Sequence, residues 1–252
     1  MIDLHSHLLP GVDDGSRSVE RSVAVLRRMA TQGVTDICLT PHLRAADTAH
    51  GPPARHEDAF AALCAGAPDV PRLHRGAEVM LDRPLPSEPD RLRRITLGGT
   101  RYILVEFPRL VTPEVVATAL TRVRDAGLIA VVAHPERYSN CSPETVAYWR
   151  SIGARMQVDA TTLQSPQTRG QRARQLVAHG LGDILAGDNH GDDRSIAAGV
   201  EFLLAQEGAV QAELLATWNP GAILRDEPLE DVPPLPIRRT WMQRLKHLLE
   251  GG

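Results

Sequence analysis

Two histidines one residue apart, in His5-Ser6-His7, stand near the start of the chain. If the run that precedes them is a strand, alternation turns both imidazoles to one side, as two ligands of one ion require. Without company the pattern also fits a strand carrying two half-buried histidines. Recurrence gives it meaning, because His42, Glu78, Glu106 and His134 each fall at the end of a short apolar run, and Asp188 with His190 follows the last one. Asp13-Asp14-Gly15 offers Asp14 as a further ligand, although Asp-Gly is also an ordinary turn signal. Imidazoles and carboxylates without thiolate suit manganese, zinc or iron better than copper or calcium, and a set this large can hold two or three ions.

Positive charge for a substrate is available nearby. Arg137 lies in His134-Pro135-Glu136-Arg137-Tyr138, and Arg194 follows Asp188-Asn189-His190. Both guanidinium forks could clamp phosphate oxygens; the plainer role is pairing with Glu136 or Asp193. Cys38 and Arg44 are spaced as in the CX5R loop of thiol-dependent phosphatases. That loop wraps backbone amides round phosphate, whereas Cys38 sits inside an apolar run, Pro41 removes an amide, and no glycine is present. An inert buried thiol is therefore expected. His50, His56, His74, His179 and His247 fall away from strand ends and are read as surface or satisfied core residues, with His50 in a loop that could fold over the site.

Something must bring these side chains together. Seven apolar runs read as strands: Ile2–Leu4, Val34–Leu39, Leu73–Val79, Tyr102–Val105, Leu128–Val132, Ala154–Val158 and Asp183–Ala186. Helical spacing between them, as in Val19, Val23, Leu26 and Ala30, gives the β/α alternation of a mainly parallel sheet. Thr112-Pro113, Ser142-Pro143 and Ser165-Pro166 read as helix starts, and Gly33, Gly127 and Gly180 as helix stops. A parallel barrel gathers its chemistry on the rim where strands end, which is where the histidines and acids fall. Residues 45–53 read as a loop over that rim. Asp226 to Pro236 reads as a proline-rich linker closing the barrel at 225. The tail then puts Trp241, Leu245, Leu248 and Leu249 on one face of an amphipathic helix, which would dock on its own barrel or on a second subunit.

Composition narrows the function. The 252 residues suit one large domain, and a net charge of −3 with a pI near 6.4 offers no field for nucleic acid or an acidic membrane surface. No apolar run approaches the roughly 18 residues that span a bilayer, and three cysteines without CxxC pairing fit a reducing cytoplasm.

The chain resembles the PHP (polymerase and histidinol phosphatase) superfamily in HxH, the strand-end histidines and the closing DxH. More narrowly, MIDLHSHLLPGVDDG, TPH, GAEV, ILVEFP, VVAHPERY and GDNH are similar to bacterial metal-dependent protein-tyrosine phosphatases of capsule and exopolysaccharide operons. The likeness spans residues 1–225 and weakens after Leu43 and in the proline-rich C-terminal segment. It implies a distorted, TIM-like (β/α)7 barrel with a trinuclear site, commonly manganese. By motif, His5, His7, Glu78 and Asp188 would hold one ion, Glu78, Glu106 and His134 a second, and Asp14, His42 and His190 a third, with Glu78 bridging. Arg137 and Arg194 would clamp phosphate, and His42 or Asp14 could supply a proton. The implied substrate is phosphotyrosine on a bacterial tyrosine autokinase. Alternatives are histidinol phosphate or another small phosphomonoester, and a metal-bound barrel that serves as a binding module.

Overall fold

The computed structural model describes residues 1–85 and 92–237. Its strands are β1 (Ile2–Asp3), β2 (Asp36–Leu39), β3 (His42–Arg44), β4 (Arg72–Arg75), β5 (Glu78–Met80), β6 (Tyr102–Glu106), β7 (Ile129–Ala133), β8 (Arg155–Asp159) and β9 (Ile184–Ala186). The main helices are α1 (Val19–Thr31), α2 (Ala54–Gly66), α3 (Pro113–Asp125), α4 (Pro143–Ser151), α5 (Thr168–Ala178) and α6 (Ile196–Ala205). Short α7 (Ala209–Glu213) and α8 (Asn219–Leu224) flank a π-helical turn, Leu214–Trp218.

Each expected strand is present, but the seven-stranded ladder of a closed barrel is not what the hydrogen bonds draw. They form two parallel sheets, β1-β2-β4 and β3-β5-β6-β7-β8-β9. Two chain paths pass from one sheet to the other. At Thr40-Pro41 the Thr40 N–H still donates to Ser6 O at 2.8 Å beside β1, proline has no N–H to carry that ladder on, and Pro41 O accepts from Glu78 N at 3.1 Å as the chain enters β3. At Gly76 the backbone passes so close to β2 that a Cβ would meet Cys38 Sγ at 2.9 Å. This splits the expected Leu73–Val79 strand into β4 and β5. The outer edges of the sheets meet at an isolated parallel bridge, Ser6 to Asn189, where His7 N donates to Asn189 O at 2.7 Å.

Both faces of β2 and of β6 to β9 are largely buried, as a parallel sheet requires. Ile37, Leu39, Ile103, Val105, Val132 and Val158 pack with the apolar faces of the helices. Leu4, Cys38, Tyr102, Leu104, Val131 and Ile184 turn the other way into a second cluster that includes Ile223 of α8. Burying one such large side chain is worth about 1.5–3 kcal/mol, so these two clusters fix the strand ends on which the site is built.

Helix punctuation follows the chemistry of the caps. Ser18 and Ser142 accept from Arg21 N and Thr145 N, and Gly33, Gly127 and Gly180 take positive φ just past α1, α3 and α5. α5 begins later than Ser165-Pro166 suggested, because Ser165 instead ends a 3-10 turn, Ala160–Gln164. The expected loop after Leu43 is a 3-10 turn, Ala45–His50, with Ala45 and Thr48 buried. The proline-rich segment is extended, yet it lies as a strap on the body. Asn219 Nδ2 donates to Glu230 O, Gln211 Nε2 to Pro233 O and Tyr102 Oη to Glu227 O, and Val232 and Leu235 are buried. The amphipathic tail over Thr240–Glu250 and the side chain of His50 lie outside the described residues.

Candidate metal centre

The strand ends converge on one cluster. His5 and His7 follow β1, His42 opens β3, Glu78 opens β5, Glu106 closes β6, His134 follows β7, and Asp188 and His190 follow β9. Donor atoms from all of these, with Asp14, form four overlapping groups: His7, Asp14, His42 and His190; His5, Glu78 and His134; His5, His7 and Asp188; His42, Glu78 and Glu106. All nine ligand positions expected from sequence therefore meet. Glu78 takes part in two groups, while Glu106 lies with His42 (Nδ1 to Oε1, 3.2 Å) and is not grouped with His134. His134 and Asp188 hold φ of 33° and 47°, a left-handed backbone that non-glycine residues adopt sparingly and that functional sites concentrate.

Partners on the far side of each ring set the tautomers. His5 Nδ1 donates to Gln157 Oε1 at 2.9 Å and His7 Nδ1 to Asp13 Oδ2 at 2.8 Å. His190 Nδ1 donates to Asp188 O at 3.0 Å. Each Nε2 is then left with a lone pair turned to the cluster. The Nε2 atoms of His5 and His7 are 3.1 Å apart. Glu78 Oε2 lies 3.0 Å from His42 Nδ1, 3.3 Å from His7 Nε2 and 3.4 Å from His5 Nε2, and it is buried without a hydrogen-bond partner. Asp188 Oδ1, 3.3 Å from both Nε2 atoms, is likewise unpartnered. Buried carboxylate oxygens that face imidazole nitrogens and lack a hydrogen-bond partner are what divalent cations satisfy, so the residues present fit such ions.

The electrostatics carry the same message. Burial works to lower the His7 pKa, yet Asp13, Asp188 and Glu78 hold it well above the usual imidazole value. His42 is pushed up to about 10, since Glu106 and Glu78 overcome its burial. Burial likewise works to raise Glu78 and Asp188, and the surrounding imidazoles, with Arg137 beside Asp188, hold both well below the ordinary carboxylate range. The cluster thus attracts positive charge strongly. His42 and Asp14, with side chains 40% and 69% exposed, form its open mouth.

Both arginines reach this cluster, neither through the partner expected of a plain structural role. Arg137 NH2 donates to Asp159 Oδ2 at 2.7 Å and to Asp188 Oδ2. Arg194 Nε donates to Asp192 Oδ2 at 2.9 Å, and its NH1 reaches Asp188 Oδ2 at 3.4 Å. Asp193 pairs instead with Arg28.

Sequence reasoning passed over Asp13, Gln157 and Asp159. Asp13 also accepts from His42 N, and Gln157 Oε1 also accepts from His134 N, so each ties two of the converging residues together. Gln157 and Asp159 alternate at the end of β8, and an acid at a strand end was the available signal. His56 departs from the satisfied state expected of it: it is buried and its Nε2 has no partner. The thiol route finds no support in the geometry. Cys38 Sγ is buried against Arg75 O at 3.1 Å, burial pushes its pKa up to about 12, and Arg44 points into solvent.

Comparison with known proteins agrees with this architecture. The chain is 28% identical over 247 residues to the tyrosine-protein phosphatase YwqE of Bacillus subtilis, covering 95% of this chain and 97% of that one. It is 27% identical over 241 residues to the tyrosine-protein phosphatase CpsB of Streptococcus pneumoniae, covering 90% and 99%. A solved chain from the crystal structures of YwqE and CpsB, described as unique metal-dependent tyrosine phosphatases, matches with a TM-score of 0.77 at 27% identity, over 95% of this chain and all of that one. The CpsB/CapC family model, described as capsular polysaccharide synthesis, matches residues 1–225, and the chain belongs to that family.

Proposed function

We propose that this protein is a metal-dependent protein-tyrosine phosphatase that acts on a tyrosine autokinase of capsule or exopolysaccharide synthesis. The observation that carries the reading is the buried convergence of His5, His7, Glu78 and Asp188, in which Glu78 Oε2 and Asp188 Oδ1 face the two Nε2 atoms without a hydrogen-bond partner. Family membership and the similarity to YwqE and CpsB support the same reading. His5, His7, Asp14, His42, Glu78, Glu106, His134, Asp188 and His190 would hold two or three divalent ions, Mn2+ foremost, with iron or zinc as the other ions suited to such ligands. Ions bound there supply Lewis-acid polarisation of the phosphoryl oxygens and let water ionise near neutral pH.

The chain's own residues do the rest. Arg137 and Arg194, which converge on Asp188 from one side, hold the equatorial phosphate oxygens and offset the charge that builds on them. A tyrosine phenolate, of ordinary pKa about 10, leaves without a strong acid, and His42 or Asp14 at the mouth can return a proton to it. The two sheets act as one distorted seven-path ring joined at the Ser6–Asn189 bridge, with the cluster on its rim. Residues 1–225 form the catalytic body, and residues 226–237 lie across it as a strap. Free thiols at Cys38, Cys64 and Cys141 fit work in the cytoplasm.

Turnover of a phosphotyrosine peptide and of histidinol phosphate, compared at equal enzyme with Mn2+ supplied, tests the substrate. The peptide is expected to be hydrolysed faster, with Cys38→Ser matching the wild type. Faster histidinol phosphate hydrolysis would move the protein to small-molecule chemistry, and no hydrolysis of either would leave a binding module.

A further inference from the structure

Arg137 is held by a second carboxylate besides that of Asp188, on a residue outside the groups of candidate metal ligands. Asp159, the last residue of β8, is buried and accepts from Arg137 NH2 through Oδ2 at 2.7 Å. Its other oxygen, Oδ1, accepts from the Thr161 backbone N–H at 2.9 Å and the Thr161 hydroxyl at 2.7 Å. Its own N–H donates to Glu136 Oε1 at 2.9 Å, an oxygen that also accepts from the Thr162 hydroxyl. The carboxylate therefore cannot rotate without breaking bonds on both sides. Arg137 Nε, meanwhile, is buried with no acceptor.

We propose that Asp159 is a positioning residue that fixes the Arg137 guanidinium in the orientation in which it meets phosphate. The inference rests on reading Arg137 as part of a phosphate clamp. A carboxylate paired with an arginine weakens its pull on an anion, so an electrostatic role alone would oppose substrate binding. The benefit is geometric: a long, flexible side chain is ordered before the substrate arrives, and misplacement of a reacting group by about 1 Å can cost a factor of about 100 in rate.

The test is hydrolysis of p-nitrophenyl phosphate at saturating Mn2+ by the wild type, Asp159→Ala, Arg137→Ala and the double variant. Asp159→Ala is expected to lower kcat at least about tenfold and to leave KM within about threefold. In the Arg137→Ala background the same change is expected to alter kcat by less than about threefold, because residues acting through one another are not additive. A smaller loss in the single variant, or a larger loss in the Arg137→Ala background, overturns the proposal. The second outcome is also what a misfolded variant would give. Wild-type activity in Arg137→Ala would refute the clamp itself, and that outcome is separate from the behaviour of Asp159→Ala.

Discussion

Asp13 holds two of the converging residues with one carboxylate, accepting from His7 Nδ1 and from the backbone N–H of His42. Burial works to raise its pKa, but the His7 contact outweighs this and lowers it to about 2, so it stays ionised throughout the neutral range. Its removal should free the His7 ring to turn. Asp13→Ala is expected to weaken Mn2+ binding about 10–100-fold, as the loss of such outer partners does, while saturating Mn2+ restores most of kcat. Mn2+ titration of the chelated protein reads this directly, and an unchanged half-saturation point would deny Asp13 that role. At this scale the histidines were legible because each ends an apolar run, which marks a strand end. Asp13 was not, because neighbouring aspartates are chemically identical in sequence, and only the fold turns Asp14 toward the open mouth and Asp13 behind His7. Asp159 was missed for a related reason: its partner Arg137 lies on the preceding β/α unit.

Elements hold these residues by close backbone approaches. Gly199 on α6 faces the 3-10 turn that follows β8, where a Cβ would come within 2.7 Å of Ala160 Cβ. Helix preference alone would favour alanine there by about 0.5–1 kcal/mol. The clash should win, so Gly199→Ala is expected to destabilise the fold by about 1–3 kcal/mol in urea unfolding. A stabilised variant would mean that α6 is not seated on that turn. The strands were readable from apolar runs and the helix ends from proline, serine and glycine. The division into two sheets was not, because Pro41 and Gly76 carry the same letters as ordinary loop punctuation and act here by breaking a ladder and letting strands touch.

For the whole molecule, the cluster sets folding against charge. Carboxylates and imidazole lone pairs are buried together at the ends of strands that both hydrophobic clusters hold in place. Ions that bind only the folded chain add RT ln(1 + [L]/Kd), about 2.7 kcal/mol at 100 times Kd. Mn2+ is therefore expected to raise the thermal midpoint by about 5–10 °C over the chelated protein. A midpoint indifferent to Mn2+ in scanning calorimetry would count against ions at this position.

The most direct measurement is phosphotyrosine peptide turnover by protein stripped with a chelator and then reloaded with Mn2+, with bound metal determined in parallel. Turnover is expected to vanish on stripping and to return as Mn2+ fills the site. His134→Ala should remain impaired at every Mn2+ level. Full turnover by the stripped protein, or full Mn2+ occupancy without turnover, would contradict a phosphatase built on these strand ends.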